Sequence, residues 1–194
     1  MQSRVLTIPN VLSAIRLLLV PVFAYLMLVP HAYGPAVAIL VFSGASDWAD
    51  GKIARLVPNQ SSRLGELLDP LVDRIYMVAV PVGLALAHVV PWAVVAILLG
   101  RDLVLAATLP VVRGRGVAAL PVTYVGKAAT FALMSGFPLI LLGQWDGLWS
   151  KVIGSVGWAF AIWGIGMYLW SAVLYLIQVR LLVRRLPKVS TQAA

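Results

Sequence analysis

The stretch VLSAIRLLLVPVFAYLMLV, residues 11–29, carries a single charged side chain, Arg16. An apolar run of about 20 residues is what a helix needs to cross the hydrocarbon core of a bilayer. Six segments of this kind follow one another, at roughly 9–29, 35–57, 63–87, 91–113, 121–143 and 152–182. The breaks between them carry turn chemistry: PHAYGP, VPNQSS, HVVP, RGRG and GQWDG. The chain is 61% hydrophobic and only 11% charged, far more apolar than a soluble domain of 194 residues requires. The sequence therefore predicts an all-α integral membrane protein, one domain over 1–194, with six transmembrane helices.

Residues 1–10 lack a charged region followed by a short apolar core and an A-x-A site, so the first span is expected to stay as an anchor. Cysteine is absent, which excludes disulfides and Cys-ligated metals. The net charge of +8 is read as membrane topology and attraction to anionic lipid, not as nucleic-acid binding. Arg4 precedes the first span; Lys52, Arg55 and Arg63 flank the second connection; Arg113 and Arg115 lie in the fourth, with Lys127 just beyond. Arg180, Arg184, Arg185 and Lys188 follow the last span, whereas the other connections hold only His31, His88, Asp146 and Lys151. The positive-inside rule then places both termini in the cytosol of a multi-pass cell-membrane protein. His31 and His88 read as interfacial side chains at helix ends, and the tryptophans as belt or packing residues. The glycines of GSVGWAFAIWGIGMYLW allow close helix approach.

Against this background SDWADGKIARLVPNQSSRLGELLDPLVDRI, residues 46–75, is anomalous, because it holds Asp47, Asp50, Asp69 and Asp73. A carboxylate at membrane depth costs about 2.5–3.5 kcal/mol on insertion scales. Four of them rival the whole net stability of a typical domain, about 5–15 kcal/mol. Asp47 and Asp50 are i, i+3 on the second span, and Asp69 and Asp73 are i, i+4 on the third, so each pair shares a helix face. Folding the hairpin about Gln60 brings Asp47 opposite Asp73 and Asp50 opposite Asp69 or Pro70. Both pairs then lie on the order of 10–15 Å below the loop.

Four converging acids need cations. Salt bridges to Lys52, Arg55 and Arg74 are one solution. Two hard divalent ions, Mg²⁺ or Mn²⁺, suit an oxygen-only donor set better and would clamp phosphate oxygens. Gly44, Gly51, Ala54 and Gly65 leave room for a ligand between the helices. Arg55, one turn nearer the cytosol, would reach a second phosphate. Near the start of the chain, Asn10 can cap the first span. Ser13 and Arg16 follow on the same side, and Arg16 could snorkel to a lipid phosphate.

The spaced set Asp47, Asp50, Gly51, Ala54, Arg55, Gly65, Asp69 and Asp73 resembles the signature of the CDP-alcohol phosphotransferase family, and the six-span count agrees. The resemblance implies attack of a hydroxyl on CDP-diacylglycerol at the phosphatidyl phosphorus, with CMP leaving. It implies Asp47, Asp50 and Asp69 as metal ligands, and Asp73 as a ligand or the general base. Gly51 and Ala54 would make room for the cytidine nucleotide, and Arg55 would meet the diphosphate. It also implies a homodimer and an active site facing the cytosol.

The signature fixes the donor and leaves the acceptor open. RVLTIPNVLSAIRL, SSRLGELLDPLVDR, GRDLVLA and TYVGKAATF resemble the family's actinobacterial cardiolipin-forming members, whose acceptor is phosphatidylglycerol. The alternative acceptor is glycerol 3-phosphate. Members using it typically show Gly-Lys-x-Lys-Thr where this chain has GKAAT: Lys127 and Thr130 match, and Ala129 replaces the second lysine. Arg101 and Asp102, mid-span in the fourth helix, are either a buried structural pair or acceptor-side positioning residues. Outside the enzyme class, a cation transporter could also hold paired intramembrane acids. No broken spans or inverted repeats favour that reading.

Overall fold

The computed structural model describes residues 7–56, 63–117 and 124–185. They form six helices: α1 (Ile8–Leu28), α2 (Tyr33–Leu56), α3 (Arg63–Leu86), α4 (Trp92–Arg113), α5 (Tyr124–Leu142) and α6 (Leu148–Arg185). Lipid offers the backbone no hydrogen-bond partners, so apolar segments of this length close their bonds internally as helices. Among the described residues, four helices are long and apolar enough to cross a membrane: α1 from Asn10, α4, α5 and α6. α2 and α3 have the length, 24 residues each, but carry the charged motif. Prolines stand inside four helices, Pro21, Pro70 and Pro81, Pro110, and Pro138, as membrane helices tolerate.

The helix ends correct the sequence reading at two places. Thr7, not Asn10, caps α1: the Asn10 backbone N–H donates to Thr7 Oγ1 at 3.4 Å. Pro9 decides this, because a residue without an N–H fits the first turn of a helix and forces the start ahead of it. α6 begins at Leu148 and runs to Arg185, past the expected 152–182 at both ends. His31 and His88 have left-handed backbones, with φ of 48° and 58°. His88 terminates α3 with two closing bonds: Val89 N–H to Leu84 C=O at 2.8 Å and His88 N–H to Ala85 C=O at 3.1 Å. That pattern is a Schellman ending, normally served by glycine.

The chain sorts into two compact units, residues 1–95 with 137–157, and residues 96–136 with 158–194. In the first unit α1 packs against both α2 and α3. Phe23, Met27, Val72, Val80 and Leu84 are buried there. Gly83 makes the approach possible: a Cβ at that position would stand 3.0 Å from the Phe23 ring. The end of α5 meets the start of α6 backbone to backbone. A Cβ on Gly157 would lie 2.6 Å from the Ile140 nitrogen, and one on Gly143 would lie 2.5 Å from Gly154 Cα. In the second unit Gly164 performs the same task, with a Cβ there 3.0 Å from Leu133 Cγ. The packing role expected of these glycines is thus met at 154, 157 and 164. Large apolar side chains point outward in both units, among them Leu18, Trp48, Leu103, Phe131 and Trp163. An apolar exterior of this extent fits lipid and not water.

Candidate active site

α1 builds one wall. Asn10, Ser13 and Arg16 lie on its inward face and are all buried. Arg16 does not snorkel outward. Its side chain is 2% exposed, and Nη1 donates to Asp47 Oδ1 at 2.7 Å and to Asp73 Oδ1 at 3.3 Å. Nη2 donates to Ser13 Oγ at 3.4 Å. The side chain turns inward because two acids from neighbouring helices supply counter-charge there, which makes burial of a guanidinium tolerable.

One guanidinium therefore joins α1, α2 and α3. The register of the hairpin is visible in this contact, since Asp47 and Asp73 meet the same nitrogen. The two carboxylates differ from their cation in exposure: their side chains are 51% and 55% exposed. They are tied to a buried cation, yet about half of each side chain reaches the surface.

A second layer of hydroxyls supports the first. Tyr76 O–H donates to the Arg16 backbone carbonyl at 2.9 Å and accepts from Ser43 Oγ–H at 2.8 Å. Ser46 Oγ–H closes on Ser43 C=O at 2.9 Å. Tyr76 stands three residues after Asp73, and Ser43 four before Asp47, so both share the acid faces of their helices. Sequence reading passed over these residues. Their helical register with the acids was the signal that could have found them.

The backbone at positions 50, 51, 54, 55, 65 and 69 is helical, within α2 and α3. The side chains of Asp50, Arg55 and Asp69, and the surroundings of Gly51, Ala54 and Gly65, lie outside the described residues. Among the described residues no group of three or more His, Asp or Glu forms a metal-sized cluster. The oxygen donors that are described, on Asp47 and Asp73, are of the kind hard divalent ions take.

The remaining candidates belong to the second unit. Arg101 Nη1 donates to Asp102 Oδ1 at 2.9 Å, and Nη2 donates to Ser171 Oγ at 2.8 Å. Tyr168 O–H donates to the same Asp102 oxygen at 2.6 Å, and its ring lies 4.1 Å below the guanidinium. Ser171 Oγ–H returns to Tyr168 C=O at 2.7 Å. Arg101 is thus enclosed by α4 and α6, with Tyr168 and Ser171 as partners that the sequence reading did not single out. Lys127 is exposed on α5, its Nζ 5.8 Å from the Tyr124 ring. Thr130 Oγ–H is satisfied by Gly126 C=O at 3.0 Å.

Fold and site define a helical, multi-pass membrane protein with a polar, acid-bearing site among its helices. The chain belongs to the CDP-alcohol phosphatidyltransferase family, whose model matches residues 6–163. It is 62% identical over 192 residues to a Mycobacterium tuberculosis protein named "Putative cardiolipin synthase", covering 99% of this chain and 91% of that one. It is 46% identical over 187 residues to the Streptomyces coelicolor "Cardiolipin synthase (CMP-forming)", covering 94% and 86%. The "CDP-diacylglycerol--glycerol-3-phosphate 3-phosphatidyltransferase" of Salmonella typhimurium is 31% identical over 176 residues, covering 85% and 94%. Membership in this family removes the basis for the cation-transport reading.

Proposed function

We propose that this protein transfers the phosphatidyl group of CDP-diacylglycerol to a hydroxyl of phosphatidylglycerol, giving cardiolipin and CMP. The observation that carries the acceptor choice is Ala129. It occupies the place where glycerol-3-phosphate-using members of the family set a second lysine, and it is fully buried. A phosphate monoester would need extra positive charge at the acceptor subsite. Phosphatidylglycerol, whose only phosphate is a diester, needs less. The higher identity to proteins named cardiolipin synthases supports the same choice. Lys127 and Thr130 match the other pattern, and glycerol 3-phosphate is therefore the second acceptor to test.

In this reading the acceptor oxygen attacks the phosphatidyl phosphorus, and the bond from that phosphorus to the CMP oxygen breaks. The electron pair leaves with CMP, and the hydroxyl proton passes to the Asp73 carboxylate. Asp47, Asp50, Asp69 and Asp73 would hold two Mg²⁺ or Mn²⁺ ions, which when bound supply neutralisation of diphosphate charge. Arg55 would grip the diphosphate, while Gly51, Ala54 and Gly65 leave space for the nucleotide. Six spans with both termini in the cytosol, a site opening to that side, residence in the cell membrane and a homodimer complete the proposal. The test offers purified protein CDP-diacylglycerol, a divalent ion and each acceptor separately. CMP release with phosphatidylglycerol is expected; turnover with glycerol 3-phosphate alone would overturn the acceptor.

A further inference from the structure

We propose that Arg16 is a positioning residue of the reaction: its buried guanidinium fixes the carboxylates of Asp47 and Asp73 relative to one another. The inference rests on the functional reading above and deepens it. Three observations carry it. The Arg16 side chain is 2% exposed while both carboxylates are about half exposed, so a buried cation holds two acids that reach the surface. Nη1 serves both acids, which belong to different helices, so its placement sets their separation. The arginine is itself held, by Ser13 Oγ at Nη2 and by Tyr76 O–H at its backbone carbonyl, with Ser43 behind Tyr76.

The fork geometry makes arginine specific here. One nitrogen reaches the acids while the other rests on Ser13. An ammonium group carries the charge on a single pivoting atom and cannot make both contacts at that spacing. This role differs from that of a phosphate-gripping arginine. A side chain that bonds carboxylates on two other helices acts through them, and its loss disturbs where they stand. Partners that orient metal-binding carboxylates typically carry 10–100-fold in metal affinity or activity.

The test uses the full-length protein in detergent and compares the unsubstituted protein with Arg16→Lys and Arg16→Met. Mn²⁺ binding is read by electron paramagnetic resonance without substrate, and turnover by CMP release. For Arg16→Met the expected result is a Mn²⁺ Kd about 10–100-fold weaker. Its kcat should fall while KM for CDP-diacylglycerol stays within about twofold. Arg16→Lys should fall between the two proteins. If Arg16→Met does not fold, Arg16→Lys decides the matter: a weakened Mn²⁺ Kd with lowered kcat supports positioning. Unchanged Mn²⁺ affinity and kcat in the folded variants overturns the inference and leaves the proposed reaction standing, as does a rise in KM alone. Failure of the unsubstituted protein to bind Mn²⁺ at all would sink the metal reading together with the inference.

Discussion

In the first compact unit a single guanidinium holds acids from two other helices; in the second, Arg101 pairs with the residue beside it in the chain. Arg16 is almost wholly enclosed, yet the carboxylates it holds are half open. Asp102 is less exposed than either, at 32%, and its Oδ1 already takes both Arg101 and the Tyr168 hydroxyl. Arg101 in turn rests on a ring and on Ser171. Similar ingredients therefore produce two different objects. One is a half-exposed acid pair tethered by a buried arginine. The other is a closed latch between α4 and α6 whose hydrogen-bonding capacity is largely used on itself. Buried ion pairs are poor evidence of stability or of function by themselves; what distinguishes these two is how far their carboxylates reach the surface.

Replacing one acid on each side is the strongest way to break this contrast. Asp73→Asn should lower CMP release by about 10²–10⁴-fold, the usual contribution of a general base, with helicity and elution unchanged. Near-normal turnover in that variant would remove Asp73 from proton transfer. Asp102→Asn should do the reverse. Arg101 would lose its carboxylate, at a cost of about 1–3 kcal/mol seen as a lower melting temperature. Turnover per folded molecule should stay within about threefold, an expectation that takes the buried-pair reading of Arg101. If Asp102→Asn melts normally and loses turnover, the latch is part of the chemistry and the contrast fails. The smallest effects come from a matched pair of hydroxyl deletions. Tyr76→Phe and Tyr168→Phe should each cost about 1 kcal/mol, as hydrogen bonds between membrane helices do. Tyr76→Phe should also slow turnover several-fold, because Tyr76 holds the Arg16 carbonyl. Tyr168→Phe should not.

The helices were legible because apolar runs of span length leave the backbone little choice. Their described ends fall within a few residues of expectation, with α6 the furthest out at its start. There the chain is already helical through Trp149, Ser150 and Lys151, ahead of the expected start at 152. The hairpin register was also legible, from spacing alone, and Asp47 and Asp73 do meet at one nitrogen. The direction of Arg16 was not. A one-dimensional pattern puts it on the Asn10 and Ser13 side of α1 but cannot say whether that side faces lipid headgroups or acids 31 and 57 residues further along the chain. Hydroxyls such as Ser43, Tyr76, Tyr168 and Ser171 are harder still. Each is a single polar atom in an oily helix, and its partner is settled only when the helices pack. Asp50, Arg55 and Asp69 lie beyond the described side chains, so their part in the site rests on the proposal.

The glycine seam between the end of α5 and the beginning of α6 has a mechanical consequence. Where Gly143 faces Gly154, and Gly157 faces the Leu139–Ile140 backbone, the two main chains meet with only the Leu139 Cβ beside them. Ordinary helix interfaces yield by switching rotamers, and a contact made mainly of backbone has little to switch. The α5–α6 turn should therefore behave as a stiff hinge plate, showing slow amide exchange on both sides of the bend even when the tips of neighbouring helices breathe.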